Sequence, residues 1–261
     1  MFFIIFIVLI LLAMVVHELS HGMIMRKYGI KVPEAGLGLP ISCLPSLAIR
    51  VSPTFTFKIH PFLLGAYVMP VEEARIEKLS YLKKAHIYGA GIIANFIMGF
   101  LMMIPWVIVK IVKQPETWAA SLPILLVLIL LTFILWRFSR KMSAYVFPFL
   151  GVVMAGYLAW SIISVGAKES LMGPVGLVTM ALGFASFYQV MMWGALISVG
   201  FAMTNLLPFL PLDGGIIMTG FLEDKFDLKQ GTKKAITTAS TVFFLAIIVL
   251  VFFADASRLI S

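Results

Sequence analysis

The residues of this chain best suited to chemistry sit where charge is least welcome. Residues 13–25, AMVVHELSHGMIM, hold His17, Glu18 and His21 inside a run otherwise apolar enough for a bilayer interior. Ionisable groups are costly there and mark function. On a helix, positions i and i+4 stand one above the other, so the two imidazoles converge on one point. Imidazole suits zinc. Glu18, beside them, is placed to take a proton from a water that the metal polarises. The bland alternative is a chance H-E-x-x-H or two buried structural histidines. The chain has only four histidines, and two fall at this spacing with a glutamate between them, which favours the metal.

A catalytic zinc takes three protein ligands and keeps one position open. Apart from Glu18 and Asp213, the acidic residues fall in or near aqueous segments. Asp213 closes TNLLPFLPLDGG, residues 204–215, at the end of a later apolar run. That end matches the depth of His17 and His21, so Asp213 is the expected third ligand; the alternative is a helix-terminal carboxylate in a turn with Gly214 and Gly215. Pro208 and Pro211 each remove a backbone donor. A helix broken at membrane depth is tolerated where it lines a cavity. The only two asparagines, Asn95 and Asn205, fall in or beside apolar runs. Asn205 is expected to donate to an oxyanion or to hold substrate backbone. Asn95 is expected to face the same pocket, as a substrate-binding residue. For both, an interhelical hydrogen bond is the competing role.

The elements that must position these groups follow from hydropathy. The 261 residues are 61% hydrophobic and 12% charged, with a mean hydropathy of +1.05, far from the roughly half apolar and quarter charged soluble norm. The fold class expected is an all-α polytopic membrane protein. About six transmembrane helices of about 20 residues each are expected near 2–25, 86–109, 118–136, 143–165, 187–210 and 235–254. The first run is read as a retained helix rather than a leader: it outlasts an h-region and lacks a basic start and a cleavage site. With the amino terminus outside and each run crossing once, sixteen of the 20 Lys and Arg residues fall on the cytoplasmic face, and Lys110, Lys113, Lys168 and Arg258 on the other. That is a positive-inside pattern. The net charge of +8 therefore reads as topology rather than nucleic-acid binding. Residues 170–185, broken by Gly173, Pro174 and Gly176, are placed as an interfacial segment on the outer side. Within 27–85, RVSPTFTFKI alternates as a strand and FLLGAYVMP reads as a second, giving a small β-hairpin that dips into the protein. The lone Cys43 excludes an internal disulfide and is assigned no role.

H-E-x-x-H in the first run together with N-x-x-P-x-x-P-L-D-G-G in a late one resembles the site-2 protease family of intramembrane zinc metalloproteases. PFLLGAYVMP, GAGIIANF, MGPVGL and DASRLI resemble its bacterial regulator-of-sigma-E branch. The resemblance implies one Zn2+ held by His17, His21 and Asp213, with Glu18 activating water and Asn205 assisting at the scissile carbonyl. It implies that the hairpin around 54–69 is a membrane re-entrant β element that pairs with an unwound substrate, with Phe55, Phe57, Gly65 and Tyr67 as substrate-binding residues beside Asn95. The partners implied are the lipid bilayer and a single-span membrane substrate already cut once by another protease. The location implied is a prokaryotic cell (inner) membrane, with both termini outside and the site toward the cytoplasm. The chain departs from that branch in 110–168, where two apolar runs stand in place of PDZ domains. It is therefore read as one domain, 1–261, made of 1–109, an insert at 110–168, and 169–261. Competing readings are a metal-binding membrane transporter using the same three ligands, an inactive scaffold relative, and a prenyl-peptide protease. The transporter leaves Glu18 without a duty, and the prenyl-peptide protease does not account for N-x-x-P-x-x-P-L-D-G-G.

Overall fold

The computed structural model describes residues 1–41, 44–63, 65–113, 118–164, 166, 171, 173–226 and 228–260; Cys43 and Lys168 lie outside them. In chain order the elements are helix α1 (Phe2–Lys27), strands β1 (Glu34–Leu37), β2 (Leu47–Ser52), β3 (Phe55–Ile59) and β4 (Ala66–Met69), the short α2 (Glu73–Glu77), then α3 (Tyr81–Lys113), α4 (Trp118–Lys141), a π turn (Met142–Val146), α5 (Phe147–Ser164), α6 (Pro174–Leu182), α7 (Phe187–Leu206), α8 (Asp213–Phe226) and α9 (Gln230–Ile260). The class is all-α and polytopic with one small sheet. Helices dominate because lipid offers no partner for a backbone N–H or C=O.

Five helical runs among the described residues are long and apolar enough to cross a membrane: Phe2–Lys27, Tyr81–Lys113, Leu122–Ser164, Phe187–Leu206 and Gln230–Arg258. The count is five rather than six because the expected loop RFSRK, between 118–136 and 143–165, is helix. It contains no Gly or Pro to stop one. The 43-residue run would measure about 65 Å if straight, twice a hydrocarbon core of about 30 Å. The π turn divides it, and its cause is local. Pro148 cannot donate to the Ala144 carbonyl four residues back; the Tyr81 hydroxyl donates to it instead at 2.7 Å.

Helix α3 is the hub. Its small residues let neighbours approach, and Ala85, Ile92 and Ile93 share a core with Leu135, Ala202, Leu206 and Ile217 from α4, α7 and α8. Contacts sort the helix ends onto two faces. Phe6 meets Phe184 edge-on and Lys113 lies over the Tyr188 ring at one end. The Tyr28 hydroxyl meets His86 Nδ1 and Glu223 pairs with Lys233 at the other. The nine-residue α6, about 14 Å long, is too short to cross and leaves this order intact.

The sheet has the order β2-β3-β1-β4, and this corrects the expected hairpin. RVSPTFTFKI is not one strand: it turns at Pro53–Thr54 and pairs with itself as β2 and β3. The expected partner β4 does not touch β3. Strand β1 lies between them, parallel to β3 and antiparallel to β4. Proline within the run supplies no ladder donor and marks the break.

Two of the motif stretches meet at the far face. Buried Asp255, 2% exposed, accepts the Gly173 and Val175 N–H groups at 3.1 and 2.9 Å and caps α6 from α9. Arg258 pairs with Asp255 at 3.0 Å and donates to the Leu171 carbonyl. Asp255→Ala leaves those donors unpaired and is expected to cost about 1–3 kcal/mol, read as a lowered unfolding midpoint in detergent; an unchanged midpoint would refute the tie.

Candidate metal centre

The i, i+4 spacing on α1 brings the His17 and His21 rings to 4.7 Å between centroids, nearly perpendicular. Both are buried, at 7% and 5% exposure. The ligand atoms of His17, Glu18 and His21 all lie within 4.8 Å of one another. Asp213 joins from the first residue of α8, its Oδ2 3.0 Å from His17 Nε2 and 3.2 Å from His21 Nε2. The proline-broken 207–212 loop between α7 and α8 makes this possible. Its Leu210 N–H donates to Ser240 Oγ on α9 at 2.7 Å. The loop also curls over the start of α8 so closely that a Cβ on Gly214 would stand 2.3 Å from the Leu206 carbonyl oxygen, and one on Gly215 2.4 Å from Phe209 backbone.

The far nitrogen of each histidine decides what its near one can do. His21 Nδ1–H donates to the Ile87 carbonyl on α3 at 2.7 Å, which leaves Nε2 with its lone pair toward Asp213. The Asn95 amide lies 3.3 Å from His17 Nδ1, and its Oδ1 is buried without a partner. Turned so that Oδ1 accepts Nδ1–H, the amide satisfies both groups and frees His17 Nε2. Two imidazole lone pairs and a carboxylate oxygen then face one point, and that oxygen too has no hydrogen-bond donor among the described residues. Three buried electron-pair donors turned on one point fit a cation, and the N, N, O set fits zinc. The arrangement also needs Gly91: a Cβ there would lie 2.6 Å from His17 Cε1 and His21 Nε2.

Beside this point lies a cavity of about 240 Å³ lined by Met14, Glu18, Gly65, Ala66, Phe201 and Asn205, with His17 and Asn95 at its wall. The Val68 N–H bonds to the Glu18 carboxylate. Val68 belongs to β4, an edge strand. Asn205 donates one amide hydrogen to the Phe201 carbonyl at 3.1 Å, leaving its Oδ1 and second hydrogen for the cavity.

The structure thus brings together His17, Glu18, His21, Asp213, Asn95, Asn205 and Gly65. Phe55, Phe57 and Tyr67 do not line the cavity. Phe55 lies under Arg26 at 4.6 Å, and β1 separates β3 from the site. Tyr67 points away by strand alternation and donates to Glu34 Oε1 at 2.8 Å; Lys58 pairs with that carboxylate at 2.6 Å. Burial pushes the Glu34 carboxyl up, but the bonds from Lys58 and Tyr67 outweigh it and hold the group below the usual carboxylate range. Burial and the Glu34 bond both push the Tyr67 hydroxyl up. Sequence reasoning missed Gly91, Ala66 and the Ile87 carbonyl. The first two lie inside stretches already singled out, GAGIIANF and PFLLGAYVMP.

Residues 5–250 match the family model of Peptidase family M50. No curated protein matches the chain. The match covers most of the chain, which therefore belongs to that family, the site-2 proteases, whose members are zinc metalloproteases.

Gly91→Ala puts a methyl group against both imidazoles. It is expected to lower zinc affinity by about 10–100-fold, the loss typical of a disturbed ligand orientation, while alanine, the better helix former, leaves helix content unchanged. Zinc competition with a chelator and circular dichroism on the same sample check both halves.

Proposed function

We propose that this member of the M50 family is an intramembrane zinc endopeptidase that cuts peptide bonds in or near the transmembrane segment of single-span membrane proteins. The observation that carries the reading is the convergence of His17, His21 and Asp213 on one point, with Glu18 between that point and a cavity bordered by a strand edge.

Zinc, when bound there, acts as a Lewis acid and lowers the pKa of a water. Glu18 takes the proton from the attacking water and passes it to the leaving amine. Asn205 presents its free amide hydrogen to the carbonyl oxygen as negative charge builds on it. Asn95 holds the His17 ring in its orientation rather than binding substrate directly. A peptide bond inside a helix is shielded by its own i→i−4 hydrogen bonds, so the substrate must be extended before attack. The outward backbone groups of β4 at Ala66 offer it a strand partner, and Gly65 leaves room for its approach. A substrate shortened by an earlier cut outside the bilayer would reach this edge more readily than an intact receptor.

The protein is placed as a multi-pass component of a prokaryotic cell membrane, its basic face in the cytoplasm by the positive-inside rule. Both termini are then outside and the site lies toward the cytoplasm, so cleavage releases a cytoplasmic fragment.

Glu18→Gln is expected to keep one zinc per chain and to lose about 10²–10⁴-fold in kcat on a generic single-span substrate in detergent. Asp213→Ala is expected to lose zinc as well. Retained cleavage in Glu18→Gln would remove the base. Zinc binding without cleavage in the parent, together with zinc flux in liposomes, would replace the protease with a transporter.

A further inference from the structure

Helices α1, α3 and α4 do not close on one another along their whole length. Between them runs a crevice of about 720 Å³ whose walls include Leu12 and Val16 of α1 and Ala90, Ala94 and Leu101 of α3. Alanines at two successive turns of α3 leave the gap, because nothing there reaches across to α4. The crevice shares no lining residue with the cavity beside Glu18; the two lie on different faces of α1.

Toward the end of α1 that carries Lys27, the crevice passes Ile24, His86, Trp136 and Ser139. These four also line a second cavity, of about 700 Å³. His86 is held there by the Tyr28 hydroxyl at 2.7 Å and Ser139 Oγ at 3.2 Å. The chemistry changes abruptly at this point. The second cavity is walled by Lys27, Arg137, Arg140 and Lys141, and among the described residues no acidic side chain lines either space. None of the four cations pairs with a carboxylate among the described residues. Trp136, 68% exposed, stands at the junction, where an amphipathic ring belongs at a headgroup boundary.

An apolar slot between membrane helices that opens onto unneutralised cations is complementary to an amphiphile with an anionic head and a hydrocarbon tail. Arginine forks match phosphate oxygens, and basic pockets between transmembrane helices take acidic lipid headgroups. A peptide segment would satisfy the slot but leave the four charges unanswered. We propose that this crevice binds one anionic phospholipid, its phosphate among Lys27, Arg137, Arg140 and Lys141 and an acyl chain laid between α1, α3 and α4. Three of the four cations come from α4, so the inserted helix supplies most of the head site.

The test is native mass spectrometry of the full chain in detergent, titrated with dioleoylphosphatidylglycerol or dioleoylphosphatidylcholine. The parent is expected to retain one phosphatidylglycerol in preference to phosphatidylcholine. The triple variant Arg137→Gln, Arg140→Gln, Lys141→Gln is expected to weaken that retention by about a hundredfold. Ala94→Phe, which fills the slot without changing charge, is expected to abolish it. Lys78→Gln, Lys229→Gln, Lys234→Gln removes the same charge from exposed positions away from the crevice and is expected to change nothing. Millimolar inorganic phosphate is expected not to displace the lipid. Equal retention by the first triple variant or by Ala94→Phe would overturn the proposal. So would an equal loss in the second triple variant, which would mean general surface attraction, or displacement by phosphate, which would mean an anion site without a tail. Because the charged residues replaced are exposed and the slot variant keeps every charge, a folding failure in one arm leaves the other to decide.

Discussion

Two imidazole nitrogens and a carboxylate oxygen face each other at 3.0 and 3.2 Å in a place with little water to solvate them. Lone pairs opposed in a low dielectric repel, and a buried carboxylate left without a donor costs several kcal/mol. A divalent cation reverses the sign of every one of these terms. Much of the surrounding structure serves to make that convergence geometrically possible. Helix α3 gives up a side chain at Gly91, supplies the Ile87 carbonyl to fix one ring and offers Asn95 to fix the other. The α7–α8 link gives up side chains at Gly214 and Gly215 so that Asp213 arrives at the right depth, and Ser240 of α9 holds that link from behind. Four helices are therefore positioned by the demands of one ion-sized volume, which explains why the hub of the packing runs beside the site.

The sheet answers a second demand. Hydrolysis needs water and an extended peptide, and a helical bundle in lipid provides neither. A strand edge does, but a bare edge in an apolar setting exposes unpaired backbone groups. Here the edge of β4 is partly satisfied by Glu18, which accepts from Val68, and it faces a cavity rather than lipid. The opposite face of β4 is tied down by Tyr67, Glu34 and Lys58. A strand beside a buried site must not slip in register, and this polar ladder fixes it from the side away from the cavity.

The convergence of His17, Glu18, His21 and Asp213 was legible because it rests on local rules. H-E-x-x-H declares its own geometry once the run is helical, and two prolines three apart declare a broken helix. The same locality explains the misses. VPEAGLGLP, with Gly36, Gly38 and two prolines, is not among the expected strands, yet Glu34–Leu37 is the strand on which the sheet is built. Its partners, not its composition, make it a strand. RFSRK looked like a loop because it is charged, but charge does not end a helix when nothing breaks the backbone. The roles of Asn95 and Tyr67 depend on which face of an element points inward, and that is fixed by neighbours from distant parts of the chain.

Helix α1 shows how a nearly uniform apolar sequence can still be strongly differentiated around its axis. Leu12, Val16 and Ser20 recur at four-residue steps along the crevice. His17 and His21 recur at the same step one residue later, about 100° around the helix, on the metal side. About a quarter turn around the helix thus separates a slot for hydrocarbon from a cage for an ion. Hydropathy averaged along the run is blind to this division, because the polar groups on the inner side are few and each is answered by a partner from α3, α8 or β4. What distinguishes the two sides is the partner: small side chains of α3 opposite one, and a glycine, an amide and a carboxylate opposite the other. A change in how closely α3 lies against α1 on the crevice side therefore bears on the same turn that carries Gly91 and the Ile87 carbonyl. The lipid-facing and chemical halves of this helix pair are mechanically one object.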